Sequence, residues 1–121
     1  MYHSALLSYD CGSTYEWGTD GEGSEIAYNY IHDNREVGIY LDNNSSNFSI
    51  HDNVLKKNGT GITLNSHNID CLVENNYLIK NELNCSTYFY KEKHLNFVYS
   101  SNKIIKNNKA RGKLCQRLSV F

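Results

Sequence analysis

The 121 residues contain no proline, one tryptophan, one methionine and four cysteines. Without proline every peptide can donate its N–H, as strands paired on both sides require. No apolar run is long enough to span a bilayer, which excludes membrane insertion, and no signal peptide is present in this chain. Cys11, Cys71, Cys85 and Cys115 lack zinc-type spacing, so no metal site is assigned. Nowhere does an i, i+3, i+4, i+7 apolar stripe persist for three turns, so a helical solenoid is excluded. A net charge of −1 argues against nucleic acid as a partner. That charge is nevertheless split, with nine acids and one base in residues 1–55 against four acids and eleven bases in 56–121.

What the chain does hold is a frame that returns four times: apolar, two spacers, Asn, one spacer, apolar, two spacers, Asn. The copies are Ile26–Asn29–Ile31–Asn34, Ile50–Asn53–Leu55–Asn58, Val73–Asn76–Leu78–Asn81 and Tyr99–Asn102–Ile104–Asn107. The steps between first asparagines are 24, 23 and 26 residues. A fixed period of that size marks a solenoid whose coils bury their apolar faces only by stacking. Short runs of Val, Ile, Tyr, Phe and Thr bounded by Asn, Asp, Gly and Ser are strand-and-turn composition.

Parity within the frame places corners. Phe48, Ile50, Cys71, Val73, Phe97 and Tyr99 share one face of a period-two strand. Ile50 and Leu55 can both point inward only if the chain turns near Asn53. Asn suits that corner because it tolerates left-handed φ and its amide can bond the backbone. Asn29, Asn53, Asn76 and Asn102 would then stack as an amide ladder. A third strand follows in Gly38-Ile39-Tyr40-Leu41 and Gly61-Ile62-Thr63-Leu64. The expected fold is all-β, a right-handed parallel β-helix of about four to five coils of ~23 residues. Coils occupy residues 1–108, and 109–121 form a basic non-repeat tail or cap. The chain opens inside a strand-like stretch, Ala5 to Tyr9, without a polar capping coil. Missing N-terminal coils, and end-to-end self-association through unpaired edges, are therefore expected. Cys71, in the inward position of Phe48 and Phe97, is expected to be a buried free thiol.

Aligning Leu7-Ser8-Tyr9-Asp10 with Ile39-Tyr40-Leu41-Asp42 leaves eight extra residues between Cys11 and Ser24. Loops leaving a rigid solenoid are where binding and chemistry gather. This one holds Tyr15, Glu16, Trp17, Asp20 and Glu22, an aromatic platform among carboxylates of the kind that holds a sugar ring. The alternative is a surface loop with Trp17 packed over the wall. The same alignment stacks Asp10 on Asp42, at a spacing near the ~5–5.5 Å of a retaining glycosidase pair. Close carboxylates drive their pKa values apart, leaving one acid and one base or nucleophile. As turn formers, both could equally be structural.

His32-Asp33-Asn34 and His51-Asp52-Asn53 end at different corners, so the histidines do not stack into a metal site. The Gly18–Gly23 stretch is followed by no helix and lacks EF-hand spacing. No cofactor is assigned; calcium held by Asp20 and Glu22 is the one the composition leaves open.

Tyr9-Asp10-Cys11-Gly12 with Trp17-Gly18-Thr19-Asp20-Gly21, then Glu25 through Asn34 and Gly38 through Asn43, resemble stretches of the pectin-lyase-like right-handed parallel β-helix superfamily. The resemblance runs over roughly residues 3–108. It implies secretion or surface display and a polysaccharide or oligosaccharide partner along the wall. Lyase members resemble one another in an Arg or Lys base beside calcium-binding acids; the acidic half here offers only Arg35, so a glycosidase fits better. The reading is a polysaccharide-degrading glycoside hydrolase. Asp10 and Asp42 form its catalytic pair, Asp20 assists, and Tyr15, Glu16, Trp17 and Glu22 bind substrate. Its alternatives are a non-catalytic glycan-binding or adhesin solenoid, or an inactive truncated fragment.

Overall fold

The computed structural model describes residues 1–4, 6–65, 67–88 and 96–105. Ala5, Asn107, Cys115 and the 109–121 tail lie outside the described residues. Every element among those described is a strand, and the strands form three parallel sheets of four. One sheet holds β1 (Gly12–Glu16), β4 (Val37–Leu41), β7 (Thr60–Asn65) and β10 (Leu83–Tyr88) in that order. A second holds β2 (Asp20–Ala27), β5 (Ser46–His51), β8 (Leu72–Glu74) and β11 (Val98–Ser100). The third holds β3 (Tyr30–His32), β6 (Val54–Lys56), β9 (Tyr77–Ile79) and β12 (Lys103–Ile105). Each coil takes one strand from each sheet, so the all-β solenoid expected from the frame is the fold, in about four turns.

The interior is a set of columns. Ile39 pairs with Ile62, Leu41 with Leu64, Ile50 with Val73, and Leu55 with Leu78, all of them fully buried. Cys71 is a buried free thiol between Phe48 and Phe97, and burial pushes its pKa up. In the first coil the inward columns turn polar: Thr14 stands at the Ile39 position and Glu16 at the Leu41 position. Gly38 and Gly61 stand second in their strands, where the wall leaves no room for a side chain. A Cβ on Gly38 would lie 2.7 Å from the Gly61 carbonyl and 2.8 Å from a Leu55 methyl.

Two amide ladders run up the corners. Asn53 Nδ2 donates to Asn76 Oδ1 (2.9 Å) and to the Ile26 carbonyl (2.7 Å), while its Oδ1 accepts from Asn29 N and Nδ2, both at 3.0 Å. Asn76 repeats the pattern with Asn102 and Ile50. Asn58 does so with Asn81 and Ile31 at the second corner. The left-handed residue, however, is the one before each ladder asparagine. Tyr28, Asp52, Asn75 and Ser101 have φ of 52–57° at the first corner, and Asp33, Lys57 and Lys80 of 51–55° at the second. The chain turns on the preceding residue, which aims the Asn amide inward along the stack.

Candidate functional site

The first coil pairs differently from the sequence alignment. Gly12 lies against Val37, Tyr15 against Tyr40 and Glu16 against Leu41. Asp10 thus precedes β1 by two residues while Asp42 directly follows β4, at opposite ends of paired strands. They do not stack, and the spacing inferred from stacking is withdrawn. The extra residues also move. Ser4 N donates to Asn34 Oδ1 and Gly12 pairs with Val37, so eight residues cover a stretch that takes three in the next coil. Arg35 holds that loop: its Nη atoms donate to the Leu6 carbonyl (3.1 Å) and Tyr9 hydroxyl (2.7 Å), with the guanidinium 4.6 Å over the Tyr9 ring. From Glu16 to Ser24 the chain runs eight residues against seven from Leu41 to Phe48, a single excess residue absorbed by a bulge between Asp20 and Ser24.

The outer face of the β1–β4–β7–β10 sheet carries a row of Tyr15, Tyr40, Thr63 and Ser86. The tyrosine rings meet edge to face at 5.1 Å. Their hydroxyls reach across coils: Tyr15 donates to Asp42 Oδ2 (2.6 Å) and Tyr40 to Asp10 Oδ1 (3.1 Å). Asp42 Oδ1 also accepts from Asn43 N and Asn65 Nδ2, each at 2.8 Å. Asp42 is therefore a buried acceptor knitting its own coil to the one on either side. Its hydrogen bond, before burial and charge, pushes the Tyr15 hydroxyl up to about 12, and burial first pushes Tyr40 up. Beside this row lies an open groove of ≈ 260 Å³ lined by Asp10, Glu36, Val37, Tyr40, Thr60, Thr63 and Asn65. Glu36 was missed in the sequence; its one mark there is adjacency to Arg35, the sole base of the acidic half.

The remaining expected residues divide. Trp17 follows directly on β1 and is 62% exposed, so it is not packed over the wall; Tyr15 is 42% exposed. Tyr15, edge to face with Tyr40, borders the groove. Asp20 and Glu22 lie beyond the turn, on β2 of the neighbouring sheet. Asp20 Oδ1 accepts from Asn47 Nδ2 (2.7 Å) and Glu22 N (2.9 Å), and these bonds, Asn47 first, hold its carboxyl below the usual range. Glu16 is half-buried in an inward column, and its carbonyl accepts from Asp42 N (2.7 Å) and Ser45 Oγ (3.2 Å). The structure thus links Asp10, Tyr15 and Asp42 through the two tyrosines, leaves Trp17 exposed just past the end of β1, and puts Asp20, Glu22 and Glu16 elsewhere.

Among the described residues no three His, Cys, Asp or Glu side chains are grouped to hold a metal ion. His32 pairs with Lys56 across coils and His51 with Ala27 and Glu74, so the two histidines do not stack. Among the described residues no helix is long and apolar enough to cross a membrane.

Parallel coils, inward columns and corner ladders define a β-helix protein with a polar groove on one wall. The family described as right handed beta helix region matches residues 8–110, and the chain belongs to it. No curated protein and no solved structure matches the chain.

Proposed function

We propose that the chain is the glycan-contacting part of a carbohydrate-active β-helix protein, secreted or displayed at a cell surface, that binds a polysaccharide across the Tyr15–Tyr40 face. The carrying observation is the exposed Tyr15, packed edge to face on Tyr40 of a groove of carboxylates, hydroxyls and an amide, with Trp17 exposed two residues further along the chain. Such rings give a flat apolar contact for a pyranose, and the groove supplies acceptors and donors for its hydroxyls. At ≈ 260 Å³ the groove is smaller than the ~300–1,000 Å³ of enclosing pockets, which suits one unit of a polymer lying across the wall. The test is a glycan screen followed by calorimetry with Trp17→Ala. Loss of binding with unchanged thermal stability supports the reading; full retention refutes it.

Hydrolysis is a second reading, favoured by one observation: Asp10 and Glu36 line the same groove. Two carboxylates facing one sugar are the minimum for acid/base cleavage. In this reading Glu36 replaces Asp42, whose oxygens are already engaged by Tyr15, Asn43 and Asn65. Release of reducing ends that Asp10→Asn and Glu36→Gln each abolish, without loss of glycan binding, would identify an enzyme. Binding without release identifies a binding solenoid.

A further inference from the structure

Around the corner from the groove lies a second cleft, of ≈ 300 Å³, lined by Asn34, Arg35, Lys57, Asn58, Gly59, Lys80 and Glu82. It spans consecutive coils. Lys57 and Lys80 occupy the same position of the frame, each directly before a ladder asparagine, each exposed, and each with left-handed φ (55° and 51°). Their backbones are fixed identically: Lys57 N donates to the Ile79 carbonyl (3.0 Å) and Lys80 N to the Ile105 carbonyl (3.3 Å). Adjacent coils are ~4.8 Å apart, so the stack sets two ammonium groups on neighbouring rungs.

Like charges so placed repel, and no ion pair to either lysine is found among the described residues. Of the nearby acids, Asp33, at the top of the column, is held by His32 (2.7 Å) and also feels the charge of Lys57, Glu36 faces Arg35 (3.9 Å), and Glu82 lines the cleft itself. Arg35 itself is occupied by Leu6 and Tyr9. With Arg35, Lys57 and Lys80 against the single carboxylate of Glu82, the cleft is net cationic, and two ammonium groups carried on neighbouring rungs match one divalent oxyanion.

We propose that this cleft binds a phosphoryl group, carried as a phosphomonoester on a sugar or polymer, clasped between Lys57 and Lys80. A phosphomonoester carries close to two negative charges at pH 7, offsetting both lysines at once. A sulfate ester or a carboxylate carries one. The cleft size leaves room for the sugar bearing the phosphate. This inference stands apart from the glycan groove, since none of its residues lines that groove.

The test titrates the full chain with glucose 6-phosphate at pH 7.5 and follows the backbone amide resonances of Lys57, Gly59 and Lys80. Glucose 6-sulfate and glucuronate serve as singly charged comparisons. The lysines are replaced by asparagine, which accepts left-handed φ and so removes charge without straining the corner. Expected are shifts centred on those amides, with binding weakened about tenfold or more in Lys57→Asn and in Lys80→Asn, the scale of one charge-assisted hydrogen bond. Trp17→Ala should leave this binding unchanged. Three results would overturn the proposal: no shifts with the phosphate, equal affinity for all three ligands, or undiminished binding in the double variant with its melting curve intact.

Discussion

Replacing Asn53 by alanine tests the ladder that sets the frame. The side chain is fully buried and makes four hydrogen bonds, at 2.7, 2.9, 3.0 and 3.0 Å. Not all of its partners are stranded by its loss. Asn76 Oδ1 keeps the bond from Asn53 N (3.0 Å), and Asn29 Nδ2 keeps the Ala27 carbonyl (2.9 Å). The Ile26 carbonyl and the Asn29 N–H lose the partners described here. At ~1–3 kcal/mol for each unsatisfied group, the cost is about 4 kcal/mol, a large part of the ~5–15 kcal/mol that holds a domain folded. Asn29 sits at the end of the ladder, half-buried, and its loss strands only the Ala27 carbonyl at a partly solvated edge. Asn29→Ala should therefore cost about 1 kcal/mol. In urea, with m of ~2 kcal/mol/M, the midpoint should fall by about 2 M for Asn53→Ala and about 0.5 M for Asn29→Ala, with m unchanged. Equal shifts in the two variants would refute the reasoning. So would tolerance of Asn53→Asp, which keeps the shape, removes both donors and buries a charge.

Gly61→Ala should destabilise by ~1–3 kcal/mol, the range for overpacking, because its Cβ would lie 2.5 Å from the Asn84 carbonyl; an unchanged urea midpoint would contradict this. The His51 pKa is raised from 6.5, first by the hydrogen bond to Asp52 (2.8 Å). Its contribution is thus complete below 6.5 and is lost as pH climbs through the raised value, and His51→Gln should flatten stability measured across that window. Tyr15 has its pKa raised from 10.0 to about 12, so the stability it lends is complete below pH 10 and lost as pH rises through about 12. Tyr15→Phe should flatten the alkaline fall in urea midpoint, and an unaltered slope would dismiss the Tyr15–Asp42 bond as its cause.

The frame was readable because each coil repeats a steric demand. Two corners and the inward columns fix the apolar and asparagine positions, and those recur whatever the outer face carries. The left-handed residue was misplaced because nothing about it recurs in type: Tyr28, Asp52, Asn75 and Ser101 share a backbone conformation and no side-chain chemistry. The first coil was misaligned for a different reason. Its inward residues are Thr14 and Glu16 where later coils have Ile39 and Leu41, so the apolar signature is missing there. Tyr9-Asp10 imitates Leu41-Asp42 closely enough to take its place. The site inherited that error, since Asp10 entered it through a stacking the register does not make. It still reaches the groove, through Tyr40 of the next coil. Tyr15 and Trp17 were legible because large rings in a polar stretch have no core to join.

Asp10 and Asp42 now make opposite predictions, and the difference separates architecture from chemistry. Asp42 is 7% exposed and accepts from Tyr15, Asn43 and Asn65, so its carboxylate is spent on joining coils. In Asp42→Asn an amide must meet three donors with one oxygen, so its NH2 faces either the Tyr15 hydroxyl or the Asn43 and Asn65 N–H groups. Any effect on ligand should then travel with a loss of ~1–3 kcal/mol in stability, as for a stranded buried group. Asp10 is exposed and, among the described residues, accepts from Tyr40 alone, at 3.1 Å, so Asp10→Asn keeps that acceptor and should leave the urea midpoint where it is. If Asp10→Asn weakens binding or turnover at constant stability, the groove acts through Asp10. If Asp42→Asn does so at constant stability, the hydrogen bonds to Asp42 are not what holds the first two coils together, and the pairing of Asp42 with the chemistry returns.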